Sequence, residues 1–202
     1  MKVYDISQEV FGCEVYPGDP SPIKETTLSI SNGDVCNLTT IKMCAHNGTH
    51  VDAPYHFYND GKTIDKVDLD KFVGFAYVVE RSGDIDAEDA RMILNEAKRH
   101  DPRAADRILV KGKATVTKAA AEVFAAEHIK LFGNESQTVG PEDAPMEVHL
   151  IMLGAEIVLL EGIRLDGIPD GLYILNAAPI NLGGADGAPC RATLMEIDSS
   201  KL

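Results

Sequence analysis

The chain has 202 residues, 45% of them hydrophobic and 25% charged, so it can bury a full hydrophobic core within one domain. Its 32 acidic residues outnumber its 19 basic residues, and the resulting net charge of −13 repels phosphate backbones and anionic lipid surfaces. We therefore expect no binding to nucleic acid or to a membrane.

The sequence contains no segment typical of export or membrane insertion. Residues 1–10 carry charged side chains and no apolar run, and the longest purely apolar stretches, such as residues 157–160, are far too short to span a bilayer. The cysteines form no C-x-x-C pair, which is typical of reduced thiols, so we predict a cytoplasmic protein. Cys44, two residues before His46, is predicted to be a small buried hydrophobe, with a soft metal ligand as the alternative.

The first quarter of the chain favours β-structure. Residues 3–6 are a candidate strand, and residues 36–45 place β-branched and apolar side chains in near alternation. Between them, the two prolines of Pro17-Gly18-Asp19-Pro20 exclude a helix and predict a turn. In residues 46–56 a glycine, a β-branched residue and a proline disfavour a helix and predict a strand end that runs into a loop.

From Gly74 onward, predicted strands and helices alternate. Caps at Asp86 and Thr117 open two helices, and Pro145 in a first helical turn opens a third, which ends at Gly154. The strands that precede and follow these helices are predicted at residues 75–80, 108–111, 129–132 and 157–160. Strand and helix therefore alternate three times, which predicts α/β units with a partly parallel sheet.

The last part of the chain returns to β-structure, with strands predicted at residues 172–175 and 192–197. The segment between them is rich in Gly, Pro and Asp. Its Gly183-Gly184 and Asp186-Gly187 pairs match no dinucleotide or phosphate-binding fingerprint and predict a loop. We therefore predict one domain over residues 1–202 with an α/β fold, in which β-rich N- and C-terminal segments combine with a central α/β layer in a mixed sheet.

A dense histidine cluster carries the chemistry. Three of the six histidines lie within residues 46–56. On extended backbone His50 and Asp52 project to the same side, and a glycine at position 48 allows a bend that brings His46 near them. Two imidazoles and a carboxylate suit Zn²⁺, Mn²⁺ or Fe²⁺ and leave a coordination position open for water. Because burying these groups unpaired is costly, we predict a metal site here rather than ordinary hydrogen-bonded histidines.

His56 lies four residues beyond Asp52, after a proline turn. It is either a further ligand or a general acid/base. We favour the general acid/base, because a water activated by a metal still needs a proton acceptor and the leaving group needs a donor.

These residues resemble a known family signature. The stretch His46-Asn47-Gly48-Thr49-His50-Val51-Asp52-Ala53-Pro54-Tyr55-His56 is similar to the H-x-G-T-H-x-D-A-P-x-H motif of the putative cyclase family, which includes bacterial kynurenine formamidases (arylformamidases) and isatin hydrolases. Tyr16-Pro17-Gly18-Asp19 resembles an aromatic-P-G-D element of that family. His149 with Glu161-Gly162 resembles its later metal pair, and residues 179–191 resemble its C-terminal part, so the resemblance spans nearly the whole chain.

The resemblance implies a swivelling β/β/α type of fold, a homodimer or homotetramer, and one or two divalent ions, zinc first among them. By the same resemblance His46, His50 and Asp52 hold one metal. Asp52 bridges to a second metal held by His149 and Glu161, and Glu161 touches both. The residues themselves give two readings of this pair: a lone helical histidine is more often a packed residue, whereas a glutamate that ends an apolar strand needs a partner, and a metal is one such partner.

The expected function is hydrolysis of an amide or formamide C–N bond in a small molecule, which for the formamidases belongs to tryptophan catabolism. Two alternatives remain: a metal-assisted lyase or cyclase acting on a carbonyl substrate, and a protein in which the metal only stabilises the fold. The chain contains no tryptophan and has Tyr16 where many of the formamidases carry one. Tyr16 is therefore the predicted stacking residue for an aryl substrate, with a smaller contact area.

Overall fold

The computed structural model describes residues 2–197, which form thirteen β-strands and three α-helices. The strands are β1 (Val3–Asp5), β2 (Ile23–Leu28), β3 (Leu38–Lys42), β4 (His50–Asp52), β5 (Val73–Glu80), β6 (Gly83–Ile85), β7 (Arg107–Lys111), β8 (Ala114–Val116), β9 (Leu131–Asn134), β10 (Val158–Glu161), β11 (Gly171–Asn176), β12 (Gly187–Pro189) and β13 (Thr193–Glu196). The helices are α1 (Ala87–His100), α2 (Lys118–Ala126) and α3 (Met146–Gly154).

Nine of these strands form one mixed sheet in the order β1-β13-β11-β5-β7-β9-β10-β4-β12. The central strands β5, β7, β9 and β10 run parallel, and α1, α2 and α3 lie in the connections between them. The strands on either side pair antiparallel. The predicted α/β fold is confirmed: β-strands from both ends of the chain extend a central α/β layer.

Local sequence explains where the first two helices begin. The Asp86 carboxylate accepts hydrogen bonds from the backbone N–H groups of Glu88 and Asp89, and the Asp89 carboxylate accepts one from the Asp86 N–H, which completes a capping box. The Thr117 hydroxyl accepts a hydrogen bond from the Ala120 N–H at 3.3 Å and caps α2. Such caps each stabilise a helix by about 1 kcal/mol, because they satisfy N–H groups that have no partner within the helix.

The central strands are buried on both faces, because alternate residues enter two separate cores. Tyr77 and Val79 of β5 face the helices, whereas Ala76 and Val78 face the opposite side. The second core also contains Val51 of β4 and Leu194 of β13, which come from nearly opposite ends of the strand order. The sheet must therefore curl. At one end of the strand order, β4 pairs with β10 up to Glu161, and β12 pairs with the other side of β4.

The structure differs from the sequence-based expectations in a few elements. The strand predicted at residues 129–132 lies at Leu131–Asn134, and β2, β6, β8 and β12 were not predicted. The sequence of β12, Gly-Ala-Pro, is typical of a loop; it is an edge strand, a position where a proline without an N–H is tolerated. None of the helices described within residues 2–197 is both long and apolar enough to cross a membrane.

Candidate metal centre

Strand β4 supplies two residues of the histidine cluster, His50 and Asp52. It lies between β10 and β12, and His50 stands directly opposite Glu161 of β10 and Pro189 of β12. His50 and Asp52 are both about 1% exposed. Because they are two residues apart on the strand, their side chains share one side, and His50 Nε2 lies 3.4 Å from Asp52 Oδ1.

A first group of potential ligands consists of His46, His50 and Asp52, the three residues predicted from their spacing. His46 lies in the turn that precedes β4, and its Nδ1 atom is 2.9 Å from Asp52 Oδ1. The backbone of Gly48, with φ of 70°, makes the left-handed bend between the two histidines. The three side chains therefore converge on one point beside the strand.

A second group shares Asp52 with the first and adds His149 and Glu161. His149 Nε2 lies 3.7 Å from Asp52 Oδ2 and 3.3 Å from Glu161 Oε1. The other oxygen, Glu161 Oε2, is 3.4 Å from His50 Nε2, so the glutamate faces both groups. The structure thus brings the side chains of all five predicted ligand residues together, with Asp52 in both groups and Glu161 facing both.

Backbone carbonyls fix the orientation of two of the imidazoles. His50 Nδ1 is 3.0 Å from the Gly48 carbonyl oxygen, and His149 Nδ1 is 2.9 Å from that of Pro145. Since a carbonyl can only accept, both Nδ1 atoms must carry the proton. Each ring then directs Nε2 toward the carboxylates, and Nε2 becomes the atom that can bind a metal once its own proton is displaced.

The ligand atoms around His50 and His149 are spaced for a metal more than for hydrogen bonds, whereas the 2.9 Å between His46 Nδ1 and Asp52 Oδ1 is a hydrogen-bond length. The four contacts of His50 and His149 with the two carboxylates measure 3.3–3.7 Å, whereas hydrogen bonds of this kind are about 2.7–3.2 Å long. Two ligands that each lie ~2.0–2.1 Å from a tetrahedral metal are ~3.3–3.4 Å apart. Imidazole and carboxylate donors at this separation suit a divalent transition metal.

The buried carboxylates of the site favour positive charge beside them, as the raised pKa values of two histidines show. Burial alone would lower the pKa of His46, but hydrogen bonds to Asp186 and Asp52 outweigh burial and raise it to about 11. In the same way Asp52 and Glu161 outweigh burial at His50 and raise its pKa to about 10. The carboxylates thus hold protons on the neighbouring imidazoles, and a divalent cation can take the place of those protons.

His56 stands at the open side of the cluster. His56 ends the short 3-10 turn Pro54–His56, in which the His56 N–H donates a hydrogen bond to the Ala53 carbonyl at 2.9 Å. This turn places the His56 ring against that of His46. The two imidazole rings are 4.2 Å apart at their centroids. The His56 side chain is 29% exposed, far more than that of His50, which fits a group that exchanges protons with a bound molecule.

Asp186 is a site residue that the sequence analysis did not select. Its Oδ2 atom is 2.8 Å from His46 Nε2 and 3.1 Å from His56 Nδ1, so one carboxylate oxygen holds both histidines. These two hydrogen bonds keep the pKa of Asp186 well below its usual range. In the sequence, Asp186 is only an acidic residue in a Gly-rich segment. Its place in the site depends on the pairing of β12 with β4, which brings this segment next to the histidines.

The cluster opens into a pocket of about 200 Å³. Tyr16, the residue predicted to contact the substrate, lines this pocket, and its hydroxyl donates a hydrogen bond to the Glu142 carbonyl at 3.2 Å. Phe57 also lines the pocket, with its ring 4.8 Å from that of His149. Cys44 is not among the clustered ligands: its thiol lies 3.9 Å from an Asp19 carboxylate oxygen. A cluster that opens into a pocket differs from the closed site expected of a purely structural metal.

The fold and the site define an α/β protein with two His/carboxylate groups that share one aspartate. The profile of the putative cyclase family matches residues 4–141. The kynurenine formamidase of Erythrobacter litoralis is 30% identical over 97% of this chain and 94% of that protein, and the one of Salinibacter ruber is 32% identical over 97% and 98%. The chain therefore belongs to the putative cyclase family.

Solved structures agree with this assignment. A potential metal-dependent hydrolase with cyclase activity is 26% identical and superposes with a TM-score of 0.79, covering 97% of this chain and 99% of that chain. Isatin hydrolase A from Labrenzia aggregata, 20% identical, has the same fold with a TM-score of 0.81 over 96% of this chain and 93% of that chain.

Proposed function

We propose that the protein is a metal-dependent hydrolase that cleaves an amide or formamide C–N bond in a small molecule, in the manner of an arylformamidase. The observation that carries this proposal is the pair of ligand groups sharing Asp52, with His56 beside them at the mouth of a pocket. The relatives named kynurenine formamidase, which align over nearly their whole length, support the same reaction class.

In this proposal His46, His50 and Asp52 hold one ion, and Asp52, His149 and Glu161 hold a second. Zinc is the proposed metal because imidazole and carboxylate ligands at near-tetrahedral spacing suit it, with manganese or iron as alternatives. When bound, such ions supply Lewis acidity, which makes water a better nucleophile near neutral pH and polarises the carbonyl of the substrate. Glu161 is also fixed by the Val139 N–H, which donates to its Oε1 at 2.8 Å.

His56 is the proposed proton-transfer group. Asp186 accepts a hydrogen bond from His56 Nδ1–H, which leaves His56 Nε2 as the atom that takes a proton from water and returns it to the departing amine. Asp186 acts as a positioning residue, because the same oxygen also orients His46. The Asp186 carboxylate thereby fixes the position of His56, the proposed proton-transfer group, relative to His46, a proposed metal ligand.

Tyr16 is the proposed contact for a planar substrate. It lines the pocket together with Phe57, so the pocket offers aromatic side chains for contact with a flat ring. If Tyr16 stacks on the substrate, Tyr16→Ala raises KM for aryl amides more than for small aliphatic amides. An equal effect on both classes would assign Tyr16 to the structure of the loop alone.

We also propose that the protein is a cytoplasmic homodimer or homotetramer that binds a small-molecule substrate and neither nucleic acid nor membranes. The hairpin of β2 and β3 supports the oligomer: it stands outside the nine-stranded sheet and exposes Ile23, Leu38 and Ile41 by 48–55%. An isolated two-stranded ribbon is only marginally stable in water, and a second copy would cover it.

A substrate panel tests the proposed function. Metal-loaded protein is assayed against formanilides, N-formylkynurenine, lactams, cyclic imides and carboxylic esters, with release of the acid and amine products as the readout. We expect hydrolysis of at least one planar amide. If every amide and ester remains intact with metal present, the hydrolase proposal is wrong.

A further inference from the structure

A tyrosine hydroxyl joins the segment that carries His56 to the helix that carries His149. The Tyr58 hydroxyl donates a hydrogen bond to the Leu150 carbonyl at 2.6 Å. Tyr58 comes two residues after His56, and Leu150 directly follows His149 on α3. Within the described part of the chain, no other hydrogen bond links residues 54–58 to α3. This contact therefore couples the position of the proposed proton-transfer group to that of a proposed metal ligand.

The sequence of α3 leaves room for this hydroxyl. Gly154 ends the helix, and a Cβ atom at this position would lie 2.7 Å from Tyr58 Oη and 3.2 Å from Tyr58 Cζ. Because a Cβ atom this close would overlap the hydroxyl, an alanine at position 154 would push the tyrosine ring away. The position of the hydroxyl thus depends on a glycine that lies one helical turn after Leu150, whose carbonyl it contacts.

Aromatic contacts join the same two elements. The Phe57 ring lies 4.8 Å from the His56 ring and 4.8 Å from the His149 ring, measured between ring centroids. Both distances are within the range of about 4.5–7 Å that is typical of attractive aromatic pairs. The two imidazoles are 6.3 Å apart. Phe57 therefore packs against both histidines, but a ring contact allows sliding, whereas the hydrogen bond of Tyr58 is directional.

His56 has one other side-chain hydrogen bond to hold it. It ends a 3-10 turn, whose hydrogen-bond geometry is poorer than that of an α-helix. Its Nδ1 atom is 3.1 Å from Asp186 Oδ2, and the same oxygen contacts His46, so Asp186 aligns His56 with the first ligand group. Tyr58 supplies the corresponding constraint on the side of α3.

We propose that Tyr58 is a positioning residue that holds His56 at its distance from His149; this rests on the proposed hydrolase function. A general acid or base must lie within hydrogen-bond reach of the atom whose proton it moves. A displacement of about 1 Å can lower the rate of such a step roughly 100-fold. Tyr58 is neither a member of the two ligand groups nor a residue that lines the metal pocket, so it acts only through His56.

The test removes the hydroxyl in two ways. Tyr58→Phe deletes it, and Gly154→Ala displaces it while introducing a residue with a higher helix propensity. Tyr173→Phe is the matched control, because the Tyr173 hydroxyl donates to the Pro169 carbonyl at 2.9 Å and Tyr173 does not line the metal pocket. For each variant kcat and KM are measured on the best amide substrate, together with bound metal by elemental analysis and Tm.

We expect Tyr58→Phe and Gly154→Ala to lower kcat roughly 10- to 100-fold, with KM and bound metal unchanged. Tyr173→Phe should keep the wild-type kcat although its Tm falls as much as that of Tyr58→Phe, since each variant loses one hydrogen bond. A crystal structure of Tyr58→Phe should show the His56 ring displaced from its 6.3 Å separation from His149. An unchanged kcat in Tyr58→Phe, or a loss of its metal, would overturn the proposal.

A double substitution tests whether Tyr58 acts through His56. When Tyr58→Phe is added to His56→Ala, we expect no further loss of kcat, because the group that Tyr58 positions is already absent. If the two losses multiply instead, Tyr58 supports the site by another route and the proposal is wrong.

The two proposals fail in different ways. If wild type hydrolyses an amide and Tyr58→Phe hydrolyses it equally fast, the positioning role is wrong and the hydrolase function stands. If wild type hydrolyses no amide but the His56 ring moves in the crystal structure of Tyr58→Phe, the hydrolase function is wrong and the coupling of His56 to α3 stands. An inactive wild type with an unmoved His56 ring contradicts both.

Discussion

His50 and Glu161 occupy directly opposite positions on the antiparallel strands β4 and β10, and His50 Nε2 lies 3.4 Å from Glu161 Oε2. This register joins a histidine of the local motif to a carboxylate from a distant part of the chain. Asp52, two residues after His50, then faces His149 from α3. The site therefore depends on how β4 inserts beside the parallel strands, and each ligand group can be tested separately.

Replacing His149 should remove the metal from the group of Asp52, His149 and Glu161 and leave the metal of the other ligand group in place. In His149→Ala the bound metal is expected to fall from about two ions per chain to about one, because the group of His46, His50 and Asp52 remains intact. Elemental analysis of purified protein measures this. His100→Ala is the control, since His100 packs on Tyr77 away from the cluster. Unchanged metal content in His149→Ala would exclude His149 as a ligand.

Replacing His56 should separate proton transfer from metal binding. We expect His56→Ala to retain its metal and to lose roughly 10²–10⁴-fold in kcat, the usual contribution of a general acid/base. Kinetics on the best amide of the panel, together with elemental analysis, give both values. Loss of metal in this variant would make His56 a ligand, and an unchanged kcat would show that His56 takes no part in proton transfer.

Much of the site could be predicted from the chain, but only where contacts are local. The spacing of His46, His50 and Asp52 indicated one ligand group, because alternation along a strand fixes which side chains share a side. His149 and Glu161 came from the family resemblance, since their approach depends on the register of β4 against β10. Asp186 was missed because it joins the site only through a Gly- and Pro-containing edge strand that reads as a loop.

The fold was predicted to a similar extent. The capped helices and the apolar strands between them carry strong local signals, so the central α/β layer was predictable. Strand β2, with the sequence Ile-Lys-Glu-Thr-Thr-Leu, has no buried face and forms through its pairing with β3. The curl that joins both ends of the sheet in one core is a property of packing and has no signal in any single segment.

Metal affinity should rise with pH. The pKa values of His46 and His50 are raised to about 11 and about 10, so in the metal-free protein both imidazoles keep their protons through neutral pH. A metal must displace those protons, and each proton released tightens binding about tenfold per pH unit. Calorimetry at two pH values, in buffers of different ionisation enthalpy, counts the protons. Binding without proton release would contradict these charge states.

The exposed hairpin should control the oligomeric state. Leu28 of β2 and Leu38 of β3 are directly opposite each other, and Leu38 is 48% exposed. If a second copy covers this ribbon, Leu38→Lys lowers the molar mass measured by light scattering, because a buried charge without a partner is costly. Met92→Lys is the control, because Met92 of α1 is 45% exposed outside the hairpin. A monomeric wild-type protein would rule out this interface.

The most direct test of the central claim is the dependence of amide hydrolysis on bound metal. Wild-type protein is stripped with a chelator, and the rate of hydrolysis of its best amide substrate is followed as Zn²⁺, Mn²⁺ or Fe²⁺ is added back. We predict no activity in the stripped protein, restoration that reaches a plateau at one or two equivalents, and no restoration in Asp52→Asn, which weakens both ligand groups. Full hydrolysis by metal-free protein, or by metal-free Asp52→Asn, would contradict the claim.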